Sequence, residues 1–442
     1  MPFATAIINA IILSAHNGYV PFIGSIGISD GRIAWVGEQP IGPGEAAKLI
    51  NAEGSILMPG LVNAHCHGDM TLARGLGDDL TLLEQNEAFA DTDWFSTLID
   101  EDDRFYSRQL TYCEALLSGT TFINENMYWS LGGRSAAAML KIGINGALSE
   151  DVRYDFTVPE KLLSDKEVAD FANQARSNGL VPVLGGLSEE DYAADLLQRI
   201  EAKRARFDML LTCHLSETDW RVKHVTSLYD STPIEFLARH NCLNEKILGS
   251  HVVWTTANDL ELLAAYGVKV VNTPLCEMKI ADGIARIPEM VQAGICVSLG
   301  TDGAMWNNSN DIFREMKGML LLHTVNSGIR SLSVRAVLDM ATINGAKTFG
   351  LGAECGSIEV GRRADLILIN TEQAHFTPLR LGSHENVASL VVYNATGRDV
   401  SDVFVSGNHV VERGNLMTAD LTEIRARVTA ASAKIAAGLG EY

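Results

Sequence analysis

Basic residues are scarce in this chain: 35 Lys and Arg stand against 55 Asp and Glu, a formal net charge of -20 over 442 residues. A surface of that sign repels phosphate backbones, so nucleic acid is excluded as the expected partner and solubility explains the charge. Cysteine is sparse too. The seven present are scattered without a Cys-x-x-Cys pair, which excludes a disulfide framework and suits a reducing compartment. No apolar run reaches the length of a membrane span. Residues 4–15 are apolar enough to imitate a signal peptide, but no Lys or Arg precedes them and a strand-like pattern follows, so they read as structure. These absences together predict a cytoplasmic protein. Neither a solenoid repeat nor a low-complexity linker is present. With 47% apolar and 20% charged residues the composition is that of a soluble globular enzyme. The length predicts one large barrel or two domains.

The most informative stretch is residues 58–79, MPGLVNAHCHGDMTLARGLGDD. Its apolar run is interrupted at Pro59-Gly60, resumes at Leu61-Val62 and delivers His65 and His67 two residues apart. On an extended backbone that spacing turns both imidazoles to one side. Two neutral imidazoles on one face make half of a zinc-type site, although such pairs also arise by chance.

The pattern along the chain changes twice. Residues 1–56 read as β structure, with Asp30-Gly31 a hairpin signal between two alternating runs. From 57 to 354 short apolar runs alternate with amphipathic segments. Strands are predicted near 57–63, 120–123, 143–149, 181–184, 209–214, 247–251, 268–272 and 296–300. Helices are predicted over 102–117, 233–240, 257–265 and 310–322. Eight such strands with helical crossovers predict a (β/α)8 barrel, an α/β fold of TIM type. Residues 355–418 return to β, with strands predicted at 365–369, 389–393, 403–406 and 410–412. The two β regions are expected to pair into one small β-sandwich, and 419–442 read as a C-terminal helix.

In such a barrel, chemistry gathers at the carboxyl ends of the strands. His214 ends one apolar strand, with Glu217 three residues later; His251 ends another, and Asp302 a third. A single strand-end histidine is usually a hydrogen-bonded spacer, and Asp-Gly is usually a turn. Four strand ends carrying metal-type residues, the His65 strand included, are hard to explain that way.

These residues sit in an ordered series of motifs: PGLVNAHCH, TLARGLGDDL, SGTT, HLSET, LGTDGA followed by NNSNDIFREM, NGAKTFGL and GSIEVGRRADLILI. In this the chain resembles the amidohydrolase superfamily, in the branch of aminohydrolases and chlorohydrolases acting on nitrogen heterocycles. Adenosylhomocysteine/methylthioadenosine deaminases and s-triazine hydrolases belong to that branch, and the resemblance covers nearly the whole chain. It implies a (β/α)8 barrel, a flanking β-sandwich from both termini and one bound divalent metal, zinc first, with iron or manganese suited to the same donors.

By the same resemblance His65, His67, His214 and Asp302 correspond to the metal ligands, Glu217 to the proton shuttle, and His251 to the group that orients or polarises the hydrolytic water. Asp302 is thereby both ligand and catalytic residue. A bound zinc brings the pKa of its water to about 7, and Glu217 is placed to move the proton. Bridged two-metal relatives carry a lysine on the fourth strand; here that strand reads VPVLGGL, which implies a mononuclear site. The activity implied is hydrolytic deamination of a purine, pterin, pyrimidine or triazine with release of ammonia. A chlorohydrolase or cyclic-amide hydrolase on a similar ring is the alternative, and a catalytically idle binding barrel a third. A homo-oligomer acting on a small heterocycle is expected, with no nucleic acid or membrane partner.

Two departures bear on the substrate. Nucleoside deaminases of this branch carry a histidine after the fourth strand, whereas this chain has Gly185-Gly186-Leu187-Ser188, which argues against an adenosylhomocysteine-type substrate. After the seventh strand Pro274-Leu275-Cys276-Glu277 replaces the usual Pro-x-Ser-Asn. Glu125, Trp94, Trp129 and Trp306 lie in loops expected to face the site, where flat rings suit a heterocycle. Cys66 and Cys213 are expected to behave as small core residues.

Overall fold

Local turn chemistry sets the first layer of this fold, a computed structural model in which residues 2–89, 97–127, 133–153, 161–186 and 188–439 are described. The N-terminal strands are β1 (Phe3–Ile12), β2 (Phe22–Ser29), β3 (Arg32–Gly37), β4 (Ala46–Asn51) and β5 (Ile56–Pro59). Asp30 and Gly31 both take positive φ, 51° and 74°, as a two-residue hairpin of the primed type requires, and β2 pairs antiparallel with β3 across them. The apolar opening is β1, a strand that pairs on both sides.

The barrel consists of β6 (Leu61–Cys66), β7 (Thr120–Met127), β8 (Asn145–Asp151), β9 (Val181–Gly185), β10 (Leu210–Leu215), β11 (Ile247–His251), β12 (Lys269–Asn272) and β13 (Val297–Leu299), each parallel to its neighbours. The backbone N–H groups of Thr301 and Asp302 donate to His65 O at 3.1 and 3.0 Å, which brings the last strand back to the first. Asn63 reinforces the junction, accepting from Thr301 N and donating to Thr301 Oγ1 at 2.8 Å. A Cβ at Gly300 would stand 2.7 Å from His65 Cβ, so this close approach demands glycine.

Crossover helices close the outside. Glu101–Leu117 begins at a reciprocal Asp100–Asp103 capping box and buries Tyr112, Cys113 and Leu116. Pro233–Arg239 begins at a Thr232–Glu235 box with proline in its first turn.

The chain then returns to the terminal sheet as β14 (Leu366–Ile369), β15 (Val400–Val405), β16 (Asn408–Glu412) and β17 (Asn415–Leu416). The two ends make one nine-stranded mixed sheet with β5 between β1 and β14. Ile7, Ile26, Leu57, Leu366 and Phe404 share its core, so the expected sandwich is one sheet curled over residues from both termini. The last helix, Leu421–Leu439, buries Ile424, Val428, Ala431 and Ile435 at alternating spacings of four and three.

Two expectations need correction. The run from 57 to 63 is not one barrel strand: Ile56–Pro59 pairs antiparallel with Leu366–Ile369 in the terminal sheet, and the barrel starts at Leu61. Both halves are fully buried, so hydrophobicity alone does not mark the switch at Gly60. The strand expected at 389–393 is the helix Val387–Tyr393, whose apolar run is buried nearly all round. A continuous apolar run of that length has no period to separate strand from helix.

Candidate active site

The carboxyl ends of the barrel strands bring four histidines around one point. His65 and His67 leave the end of β6, His214 lies near the end of β10 and His251 ends β11. The His65 ring lies 5.0 Å from that of His67, 5.1 Å from His214 and 5.2 Å from His251, centre to centre. Asp302, just beyond β13, sets Oδ1 at 3.6 Å from His65 Nε2 and 3.5 Å from His67 Nε2. Two ligands bound at zinc–nitrogen distances and tetrahedral angles stand about 3.3 Å apart, so this spacing is close to that around one ion. Donor atoms of His65, His67 and Asp302, and likewise of His65, His214 and His251, lie within 4.8 Å of one another.

Packing holds these groups in place. His65 Nδ1 bonds the Asn126 side chain at 2.6 Å and the Ser250 hydroxyl at 2.9 Å, which aims Nε2 at Asp302. That buried Nε2 has no hydrogen-bond partner, a costly state for a polar atom unless a ligand completes it. Burial lowers His65 to about 4 and His214 well below its ordinary value, so both imidazoles are neutral. Burial opposes ionisation of Asp302, but the imidazoles of His65 and His67 beside it, with His251 further off, hold it well below the carboxylate range. Neutral nitrogens beside a carboxylate are the protonation states a divalent ion requires, and the donor set fits one.

Glu217 follows β10 through Ser216, a non-glycine residue at φ 48°. Its Oε1 lies 3.6 Å from His251 Nε2, and its Oε2 accepts from Arg221 one helical turn on. His251 Nδ1 bonds Thr273 Oγ1 at 2.9 Å with Glu277 behind it at 3.7 Å. Burial disfavours the His251 cation, but Glu217 first, with Glu277 and Asp302, raises it to about 10. His251, Val252 and Asp302 also sit at φ 70°, 54° and 62°. Left-handed backbone is unusual for a β-branched valine, and strain of this kind concentrates at functional sites.

These groups open into a cavity of about 420 Å³ lined by His67, His214, Glu217, Asp302, Gln85 and Trp306, among others. The Trp306 ring lies 5.4 Å from that of His67. Trp94 and Trp129 lie outside the described residues. Glu125 does not face the cavity: its carboxylate is buried beneath the metal-type strand, accepting from Gly68 N at 3.0 Å and Tyr112 Oη at 3.0 Å. Arg108 completes that network, Nε at 3.4 Å from Glu125 and Nη2 at 2.9 Å from Asp69. Glu125, expected in a loop, lies within β7, and the buried arginine that absorbs its charge lies on a helix 17 positions away. Cys66 and Cys213 are buried, as expected of small core residues.

Sequence reasoning passed over several residues here. Arg221 had a signal, the four-residue spacing from Glu217 at a helix start. Cys276, whose thiol donates to Asp302 Oδ2 at 3.0 Å, stands at the noted Pro274–Glu277 departure. Glu189, buried, accepts from Ser216 N at 2.5 Å and is raised to about 8 by burial; nothing in its local sequence marks it.

The chain resembles known proteins over nearly its whole length. The chain is 33% identical over 418 residues to the 5'-deoxyadenosine deaminase of Methanothermobacter thermautotrophicus, covering 93% of this chain and 95% of that one. It is 34% identical over 428 residues to the 5-methylthioadenosine/S-adenosylhomocysteine deaminase of Desulforudis audaxviator, covering 92% and 95%. The solved adenosine deaminase from Xanthomonas campestris with bound zinc matches with TM-score 0.89 at 26% identity over 98% of this chain and 99% of that one. Atrazine chlorohydrolase from Arthrobacter aurescens, complexed with zinc, shares the fold at TM-score 0.86 and 21% identity over 97% and 100%. Residues 56–410 match the Amidohydrolase family profile, and this chain belongs to that family.

Proposed function

We propose that this protein is a metal-dependent hydrolytic deaminase of an amino-substituted nitrogen heterocycle. The observation that carries the reading is a pair of donor triads sharing His65, one with His67 and Asp302 and the other with His214 and His251, with Glu217 beside His251. In this reading the first four hold a single divalent ion, zinc first, with iron or manganese suited to the same donors. When bound, the ion lowers the pKa of a water toward 7 and makes it nucleophilic at neutral pH.

The remaining work belongs to side chains of this chain. Glu217 accepts the water's proton and returns it to the ring nitrogen or departing amine of the substrate. Arg221 fixes the carboxylate so that Oε1 is the working oxygen. His251, oriented by Thr273, presents Nε2 to the same space. Trp306 flanks the ring, and the cavity of about 420 Å³ has room for a bicyclic heterocycle with a substituent. The barrel carries the chemistry, and the terminal sheet and last helix brace it. A cytoplasmic homo-oligomer is part of the same reading; among the described residues no helix is long and apolar enough to cross a membrane.

Adenosine-type deaminases among the relatives support an exocyclic amine next to a ring nitrogen as the group attacked. The missing histidine after β9 argues that adenosylhomocysteine and methylthioadenosine are poor substrates. Ammonia release from nucleosides, free bases, pterins and aminotriazines, measured side by side on metal-replete enzyme, tests the proposal. Adenosylhomocysteine as the best substrate overturns the inference from strand four. Chloride release from a halogenated ring, with every amine silent, moves the assignment to a chlorohydrolase.

A further inference from the structure

A second concavity lies away from the metal-type cluster, where the barrel meets the terminal sheet and the last helix. Its volume is about 620 Å³, within the range of small-molecule sites. Four exposed arginines line it: Arg74 after the first barrel loop, Arg314 on the helix Ile312–Ser327, Arg398 before β15 and Arg425 on the last helix. In a chain of net charge -20, four arginines from four separate elements in one cleft are not a random scatter.

The carboxylates in the same cleft are already committed. Glu114 bonds Arg74 and also accepts from Asn310 N at 3.1 Å. Asp311 accepts from the backbone N–H groups of Phe313 at 2.9 Å and Gly397 at 3.0 Å, and Arg314 stands 3.9 Å from it. Arg398 and Arg425 make no ion pair among the described residues. The floor between them is apolar, from Leu117 and Val400.

We propose that this cleft is a binding site for a small organic anion, a phosphate or carboxylate carried on an apolar body. Guanidinium groups match such oxyanions bidentately, and the apolar floor gives the rest of the ligand a surface to cover. No residue lines both the cleft and the cavity of the cluster, so the two are separate concavities.

Calorimetric titration of the full-length, metal-replete protein with phenyl phosphate tests this, with inorganic phosphate in parallel. One equivalent of phenyl phosphate is expected to bind per chain, weakening about ten-fold between about 50 mM and about 300 mM salt. The double variant Arg398→Gln/Arg425→Gln, changed only at exposed positions, is expected to lose at least about ten-fold in affinity while hydrolytic activity is unchanged. Inorganic phosphate is expected to bind more weakly, and equal binding would overturn the organic part of the assignment. No binding at millimolar phenyl phosphate, or equal binding by the double variant, overturns the site. A change of oligomeric state in the variant by light scattering also overturns it, assigning the arginines to a contact between copies.

Discussion

The thiol of Cys276 donates a hydrogen bond to Oδ2 of Asp302 at 3.0 Å, while Oδ1 of the same carboxylate faces His65 and His67. The two oxygens therefore have different tasks. Burial pushes the Cys276 thiol up, so it stays protonated and remains a donor. Cys276→Ala removes that donor and leaves the carboxylate held only at Oδ1, where the Gly303 backbone N–H donates at 2.6 Å. Loss of a hydrogen bond to a ligand typically costs 10–100-fold in metal affinity, so a drop of about that size is expected. Competition against a chelator measures it, and Cys276→Ser, which keeps a donor, is expected to recover most of the loss. An unchanged affinity in Cys276→Ala would show that Asp302 is held by other contacts.

Glu217→Gln is expected to retain metal and lose turnover. The amide keeps the shape and the Arg221 neighbour but no longer carries a proton, and general acid–base catalysis contributes about 10²–10⁴-fold. The check pairs turnover with elemental analysis, which is expected to give one divalent ion per chain. Normal turnover at full metal content places the proton on another group; a reproducible two ions per chain refutes the mononuclear reading.

Arg108→Met is expected to cost about 3–5 kcal/mol, because it strands Asp69 and Glu125 as buried carboxyls without their cation. Chemical denaturation of the metal-free protein reads this directly. Glu125→Gln is expected to leave the ranking of substrates untouched, since the residue lies under the site and not in its cavity. A changed ranking would return Glu125 to a substrate role.

Glu315 sets a pH dependence of stability from behind the site, where Asn307 joins it to the Thr301 carbonyl. Burial raises its carboxyl from an ordinary 4.5 to about 8, although Asn307 and the Leu275 backbone N–H lower it in part. The folded protein thus holds this proton where the unfolded chain has released it. The stability this contributes is complete below about pH 4.5 and is lost as pH rises through about 8. Thermal unfolding of the wild type is expected to weaken more steeply between those limits than that of Glu315→Gln. Parallel curves for the two proteins would assign the slope elsewhere.

The barrel was readable because period and punctuation agree. Six of its strands fall within two residues of where the alternation of apolar runs puts them, and the metal-type residues lie at or just beyond strand ends. What escaped was whatever depends on a partner distant in sequence. Glu125 looked like a pocket residue because Arg108 and Tyr112, which absorb its charge, cannot be paired with it from spacing alone. Glu189 reaches Ser216 across 27 positions, and no local pattern announces it. The switch at Gly60 was hidden because the residues on both sides are buried, one set in the sheet and the other in the barrel.

Closure of the barrel through Asn63, His65 and Thr301 has a consequence for how the protein comes to life. His65 and His67 leave the ribosome early, and Asp302, which meets them at 3.5–3.6 Å, more than two hundred residues later. The pocket therefore lies on the seam of the barrel, and a growing chain holds an incomplete donor set until its eighth strand is made.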